Sequence, residues 1–104
     1  MTRMTTKISR EGASVTIHVE GRIDTISAPA LDDTVCEALK DETIMDLAVD
    51  FAAVSYVSSA GLRTFLAAKK RMEERGGTLL LKNCSSNVKK LMRITEADSL
   101  LTIE

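Results

Sequence analysis

Two short apolar runs, Ile44–Phe51 and Thr78–Lys82, lie on either side of an amphipathic segment, Ala60–Arg75. Each run carries apolar residues at adjacent positions, which is typical of strands buried within a parallel sheet. The segment between them repeats its apolar residues at the helical period and stops at Gly76-Gly77, a common helix end. A strand, a helix and a second strand in this order predict a right-handed β-α-β crossover.

The residues around this unit extend the same alternation. Thr5–Arg10 and Ser14–Glu20 predict an antiparallel hairpin, because polar and apolar residues alternate along the second run. The remaining predicted elements are a helix after Ser27, a short helix capped by Ser85 or Ser86, and a last strand at Leu100–Ile103. The order β-β-α-β-α-β-α-β indicates an α/β fold with a mainly parallel sheet, and the length predicts a single domain over residues 1–104.

Charge and hydropathy exclude several kinds of partner. The chain has 14 basic and 15 acidic residues, with two phenylalanines, one tyrosine and no tryptophan. Direct nucleic-acid binding is therefore not predicted, since neither a basic excess nor an aromatic stacking platform is present. No apolar run is long enough to span a bilayer, and the amino-terminal residues lack the apolar stretch of a leader. We expect a cytoplasmic protein without membrane contact.

Few side chains could bind a metal or a cofactor. The one histidine, His18, and the two cysteines, Cys36 and Cys84, are far apart and match no zinc-binding spacing. Neither a GxxxxGK nor a GxGxxG motif occurs, so no phosphate-binding loop is indicated. We therefore predict no metal site and no bound cofactor, and we expect both cysteines to be free thiols.

The start of the helix after Phe51 is the main candidate site. Ser58 and Ser59 precede Ala60, at a point where a serine hydroxyl can cap the first helical turn. We interpret Ser59 as the cap and as an exposed acceptor of phosphate, because a helix amino terminus stabilises a phosphate group. If the strands ending near Asp24 and Phe51 are parallel, Asp24 and Ser59 lie at the same edge of the sheet.

Two neighbours of the serine pair suggest a contact surface. Arg63 places a cation in the first helical turn, where it opposes the helix dipole. It is either an exposed residue tolerated there or a contact for an anionic group on a partner. Gly61 lowers helix propensity by up to about 1 kcal/mol relative to alanine. We interpret this glycine as allowing the backbone of another protein to approach Ser59.

A serine hydrolase is the enzyme alternative at this turn. Val57 stands where a nucleophile elbow has its first glycine. A triad also needs a base, and His18 is predicted in the middle of an early strand rather than on a loop. We therefore predict that the protein is not an enzyme.

Four motifs in order are Gly21-Arg22-Ile23-Asp24, Asp50-Phe51 with Val54, Ser58-Ser59-Ala60-Gly61-Leu62 and Gly76-Gly77-Thr78-Leu79. Together they resemble the STAS family, specifically the bacterial anti-sigma factor antagonists. The resemblance runs from about Thr6 to Ile103. It implies a mixed, mostly parallel sheet of four to five strands with helices mainly on one face.

The resemblance also implies partner switching. In this family the unphosphorylated antagonist binds an anti-sigma factor that is also a serine kinase of the GHKL fold, and a sigma factor is released. The kinase phosphorylates a serine at the start of the second helix, and a PP2C-type phosphatase removes the phosphate. Alignment on Gly61-Leu62 places the acceptor at Ser59, and Asp24 matches the family's acidic residue near the kinase contact.

The expected docking surface therefore comprises Asp24, Ser58, Ser59, Gly61 and Arg63. Many family members have Asp-Ser-Ser-Gly where this chain has Ser58-Ser59-Ala60-Gly61. The acidic residue before the acceptor is absent here, which leaves Ser58 as an alternative phosphorylation site. Two other functions remain open at this point: a STAS subunit or regulator of a transporter, and a regulator in a pathway other than sigma control.

Overall fold

The computed structural model describes residues 4–104, so the first three residues of the predicted domain lie outside the described part of the chain. Its elements in chain order are β1 (Thr5–Glu11), β2 (Ser14–Ile23), α1 (Ala28–Ala38), β3 (Asp46–Val57), α2 (Ser59–Glu74), β4 (Thr78–Lys82), α3 (Ser86–Ile94), a 3-10 turn (Ala97–Ser99) and β5 (Thr102–Ile103). This is the order of strands and helices that the sequence predicted.

The strands form one five-stranded sheet in the order β1-β2-β3-β4-β5. β1 pairs with β2 in antiparallel orientation, and every later neighbouring pair is parallel. Each helical connection therefore moves one strand across the sheet in the same direction. Right-handed crossovers that all move the same way place their helices on the same face. The predicted mixed, mostly parallel α/β fold is confirmed.

Burial follows this arrangement. Along β2, buried side chains alternate with exposed or half-buried ones, so one face of the strand points into the core. Phe51 of β3 and Phe65 of α2 are fully buried, with ring centroids 5.3 Å apart at a tilted angle. The core joins strands and helices through the fully buried residues Ile17, Ile23, Leu31, Leu47, Val49, Met72, Leu81, Val88 and Met92. The helices thus cover one face, as the family resemblance implied.

β3 is longer than the sequence predicted. The expected strand ended at Phe51 and was followed by a loop, whereas β3 continues to Val57. Its second half pairs with the end of β2, which itself continues past the predicted end at Glu20. Two register shifts interrupt this pairing, one of them beside Gly21, whose φ of 104° suits glycine. Along β3 the alternation of buried residues is broken after Phe51, so the sequence shows no regular strand pattern there.

The extra pairing decides where the two parallel strands end. Ile23, the last residue of β2, is the register partner of Val57, the last residue of β3. Immediately beyond, the Ser58 backbone N–H donates to the Ile23 carbonyl oxygen at 2.7 Å. The chain segments that follow β2 and β3 therefore leave the same edge of the sheet side by side. We call the surface formed by Asp24–Ser27 and Ser58–Arg63 the rim.

Candidate functional site

The serine pair divides its roles differently from the prediction. Ser58 is the N-cap of α2: its backbone is extended, at φ −85° and ψ 170°, and its Oγ accepts from the Gly61 backbone N–H at 3.3 Å. Ser59 is the first residue of the helix and is exposed. The assignment of Ser59 as the cap was therefore wrong by one residue. The reason is that β3 continues to Val57 and leaves Ser58 at the junction.

Asp24 holds a tight turn on the other side of the rim. Its Oδ1 accepts from the backbone N–H groups of Ile26 at 3.0 Å and Ser27 at 2.9 Å. The Ser27 hydroxyl donates to the Arg22 carbonyl oxygen at 2.8 Å, and its oxygen accepts from the Asp24 N–H at 2.9 Å. The hydrogen bond from the Ser27 N–H is the main cause that lowers the pKa of Asp24 below its ordinary value. The carboxylate is thus ionised at neutral pH and orders the turn.

The parallel register brings the predicted residues together. Asp24 directly follows Ile23 and Ser58 directly follows Val57, and these two strand ends are partners. Asp24, Ser58 and Ser59 consequently lie at the same edge of the sheet, although 34 positions separate Asp24 from Ser58 in the sequence. Open α/β sheets commonly carry their binding sites at this edge, the carboxyl ends of the parallel strands.

Gly61 belongs to the interior rather than to the surface. It is buried, and a Cβ built on it would lie 2.5 Å from Ile23 Cγ2 and 3.2 Å from Val57 Cγ1. Close packing of α2 on the ends of β2 and β3 therefore accounts for the glycine. The expectation that Gly61 admits the backbone of another protein is corrected accordingly. Its contribution to the rim is to let the start of α2 sit close to the strand ends.

Arg63 is exposed on the first turn of α2. Together with Asp32 of α1 it lines an open cleft of about 330 Å³ between the starts of the two helices; the other lining residues are Thr25, Ala28, Pro29, Ala60 and Thr64. Among residues 4–104, Arg63 makes no ion pair within 4 Å. Its guanidinium is therefore available to an anionic group, and the cleft joins the Asp24 turn to the start of α2.

His18 lies elsewhere, in a hydrogen-bonded chain that the sequence analysis did not anticipate. Its Nε2 is 3.0 Å from Ser9 Oγ and its Nδ1 is 3.0 Å from Asp50 Oδ2. Asp50 Oδ1 also accepts from Asn83 Nδ2 at 3.0 Å, and this amide is the main cause that lowers the pKa of Asp50 to about 2. These hydrogen bonds cross β1, β2 and β3, so only the tertiary register could reveal them.

This arrangement bears on the hydrolase alternative. His18 is in the middle of β2 and its ring is engaged with Ser9 and Asp50, away from the rim where Ser59 lies. A cavity of about 150 Å³ adjoins His18 and Asp50, but Ser9 does not line it. Ser59 therefore has no histidine base, because the chain's one histidine, His18, is bound elsewhere.

Residues 4–104 contain neither a metal-binding cluster nor a membrane-spanning helix. The described His, Cys, Asp and Glu side chains include no group of three placed to hold a metal ion. The helices of the described chain are too short or too polar to cross a membrane. Both cysteines are free thiols, Cys36 half-buried and Cys84 buried, and burial raises the pKa of Cys84.

Comparison with known proteins gives consistent results. A family model described as "Mlab, STAS domain" matches residues 6–102. The anti-sigma-B factor antagonist of Bacillus subtilis is 30% identical over 89 residues, which cover 86% of this chain and 80% of that protein.

Two solved structures share the fold. An anti-sigma factor antagonist from Mycobacterium paratuberculosis has a TM-score of 0.83 at 21% identity, covering 97% of this chain and 85% of that one. The Bacillus cell fate determinant SpoIIAA in its phosphorylated form has a TM-score of 0.74 at 16% identity, covering 96% and 91% of the two chains. The family model, which spans nearly the whole sequence, and the relative at 30% identity together establish that the chain belongs to the STAS domain family.

Proposed function

We propose that this protein is a cytoplasmic anti-sigma factor antagonist that acts by partner switching. Its unphosphorylated form binds an anti-sigma factor that is also a serine kinase of the GHKL fold, and this binding frees a sigma factor. Phosphorylation of Ser59 ends the binding, and a PP2C-type phosphatase restores it. The observation that carries the proposal is the exposed hydroxyl of Ser59 as the first helical residue, beside the Asp24 turn, in a chain related to anti-sigma-B factor antagonists.

The geometry favours Ser59 over Ser58 as the acceptor. Ser58 Oγ accepts the capping hydrogen bond from Gly61, and its residue is half-buried. A kinase acting on Ser58 would have to break this capping bond and turn a half-buried side chain outward. Ser59 is exposed and its hydroxyl has no hydrogen-bond partner among the described residues, so a kinase can reach it without disturbing the helix.

A phosphate on Ser59 would be compatible with the fold. It adds roughly 1.5 to 2 negative charges at neutral pH, and the first N–H groups of a helix together with the dipole favour an anion there. Arg63, one turn along α2, adds a cation that makes no ion pair with another described residue. The folded domain should therefore persist, and the switch acts on docking: a dianion enclosed in a dry interface is strongly unfavourable.

Partner contacts follow from what the rim exposes. The Asp24 carboxylate and the Arg63 guanidinium are the charged groups on either side of the serine pair. The rim also offers no histidine base to Ser59, which supports a domain that receives a phosphoryl group and performs no chemistry of its own.

The direct test is incubation with candidate anti-sigma factor kinases and ATP, followed by mapping of the product by mass spectrometry. We expect one phosphate at Ser59, unchanged in Ser58→Ala and absent in Ser59→Ala. Ser86→Ala is the matched control, because Ser86 is also exposed as the first residue of a helix after a serine cap. Phosphate found only outside Ser58 and Ser59 would contradict the site assignment. Purification of the chain with a transporter subunit instead of a kinase would favour the transporter alternative.

A further inference from the structure

Ile26 is the most exposed large apolar side chain among the described residues. It is 90% exposed, whereas Ile94, Leu100 and Ile8 are 68%, 53% and 48% exposed. Single exposed apolar residues are common on protein surfaces and need no special account. Ile26 differs from the other three in its location, since it lies within the rim.

The backbone of Ile26 is fixed although its side chain is free. Its N–H donates to Asp24 Oδ1 at 3.0 Å, and the next N–H, of Ser27, donates to the same oxygen at 2.9 Å. The Ala28 N–H donates to the Asp24 carbonyl oxygen at 2.8 Å, which continues the turn into α1. A side chain presented by an ordered turn loses less entropy on binding than one presented by a mobile loop.

The position of Ile26 links it to the proposed phosphorylation site. Its neighbour Thr25 lines the same cleft as Ala60, the residue that follows Ser59. The backbone bond from Ser58 to Ile23 holds the two segments together at the strand ends. A partner surface that covers Ser59 and this cleft would therefore reach the turn that carries Ile26.

We propose that Ile26 is the apolar anchor through which this domain docks on its anti-sigma factor, filling an apolar pocket in that partner. The inference rests on the proposed function and adds to it the residue that supplies most of the apolar contact. Burial of a whole isoleucine side chain is among the larger single contributions available on this rim, whose other exposed residues are polar, small or charged.

The charge beside the anchor specifies the partner further. Within the described chain, the hydrogen bonds of the Asp24 carboxylate all fall on Oδ1. Oδ2 is left to accept from outside, so the partner's pocket should carry a cationic or N–H donor at the edge that faces Asp24. Asp24 is then both a positioning residue for Ile26 and a direct contact.

Binding to the anti-sigma factor, measured by isothermal titration calorimetry with unphosphorylated protein, tests the anchor. We expect Ile26→Ala to raise Kd at least about tenfold, because truncation of a central anchor removes a dominant contact. Ile94→Ala is the matched control: the same substitution at an exposed site, at the end of α3 and away from the rim, should leave Kd within about twofold. Thermal unfolding of both variants should match the wild type.

The outcomes separate the two proposals. If Ile26→Ala binds as tightly as the wild type, or if Ile94→Ala weakens binding equally, the anchor is overturned and the proposed function stands. Failure of the wild type to bind overturns the proposed function and the anchor with it. Asp24→Asn gives a second measurement, because asparagine keeps the Oδ1 acceptor and the turn but removes the charge. It should weaken binding less than Asp24→Ala, which loses both; equal losses would contradict a positioning role.

Discussion

The helices α2 and α3 begin in the same way. Ser58 and Ser85 are both extended N-caps, and their Oγ atoms accept from the backbone N–H three residues on, at 3.3 Å and 3.2 Å. Ser59 and Ser86 both follow as exposed first helical residues. Both helices also start where a parallel strand has just ended.

Their surroundings differ. The start of α2 adjoins the Asp24 turn through the Ser58–Ile23 backbone bond, and it faces the cleft that leads to α1. The start of α3 follows Asn83, whose side chain binds Asp50, and Cys84, whose N–H donates to the Glu104 carbonyl oxygen at 3.0 Å. Only the first of these two starts therefore stands next to a turn that presents an exposed apolar residue.

The third helical residue shows the same contrast. This position is Gly61 in α2, where Ile23 leaves no room for a Cβ, and Val88 in α3, which is fully buried. The local capping geometry is thus common to both helices, and the packing around it is not. A serine cap by itself does not define a docking surface; the neighbouring strand end does.

The largest expected effect distinguishes Ser59 from Ser86, the exposed first residues of α2 and α3. Ser59→Asp should weaken binding to the anti-sigma factor by at least about thirtyfold, because a charge is enclosed in the interface. Ser86→Asp, with the same charge at the equivalent position of α3, should leave binding unchanged within about twofold. Calorimetric titration of both variants measures the difference.

Chemical unfolding controls this comparison, and both variants should be as stable as the wild type or slightly more so, since an acidic residue is favoured at a helix start. Equal affinities for Ser59→Asp and Ser86→Asp would show that the rim is not the docking surface.

The next effect concerns the close packing that only α2 has. Gly61→Ala should destabilise the fold by about 1–2 kcal/mol, because overpacking against Ile23 outweighs the gain in helix propensity. Urea unfolding measures the change. In an Ile23→Ala background, where Cγ2 is absent, the same substitution should become neutral or stabilising. Destabilisation of similar size in both backgrounds would mean that this contact is not the cause.

A third prediction concerns Asp50, which binds the Asn83 side chain in the loop before α3. The Asn83 amide and the Ala52 N–H lower the pKa of Asp50 to about 2 from its ordinary 3.8. The ionised form is therefore the one the fold stabilises: the contribution is complete above about pH 5 and is lost as pH falls through 3.8 towards 2. For this largely shielded side chain we expect about 1–2 kcal/mol of stability to disappear over that range.

Unfolding by urea at pH 7, 4 and 3 measures this loss. Asn83→Ala removes the hydrogen bond that lowers the pKa of Asp50 most and should make the acid dependence shallower. An equally steep dependence in that variant would contradict the assignment of the lowered pKa to the Asn83 amide.

The smallest effect tests how alike the two caps are. Ser58→Ala and Ser85→Ala should each destabilise the fold by about 1 kcal/mol, since each removes one capping hydrogen bond. Ser59→Ala and Ser86→Ala should change stability by less than about 0.5 kcal/mol. Thermal unfolding of the four variants checks both statements. A loss at Ser59 as large as that at Ser58 would restore the original assignment of Ser59 as the cap.

Much of the fold follows from local patterns in the sequence. Thr78–Lys82 is predicted without error, and the start of α3 follows from its cap, Ser85. α1 also begins directly after Ser27, but the Ser27 hydroxyl bonds within the Asp24 turn and makes no capping hydrogen bond, so the predicted cap was wrong there. Such elements are short-range: periodicity and capping residues lie within the element itself. The end of β3 escaped prediction because its last residues pair with β2 across a shifted register, and no local signal records that pairing.

The candidate site divides in the same way. Residue type and family resemblance were enough to name the serine pair, Asp24 and Arg63, because hydroxyl and charged groups can be identified from the sequence alone. That Ser58 rather than Ser59 caps α2 depends on a shift of one residue in the helix start. Helix boundaries of that precision are set by tertiary hydrogen bonds, here the one from Ser58 to Ile23.

The sequence by itself determined the order of elements, the α/β class and the exposed serine at a helix start, since each depends on local periodicity and side-chain chemistry. Only the tertiary structure decided which neighbours that serine has. Parallel pairing of β2 with β3 brings the Asp24 turn beside α2, buries Gly61 against Ile23 and leaves Ile26 exposed on the rim. Contacts between residues far apart in sequence depend on how the whole sheet packs, so no single segment of the chain encodes them.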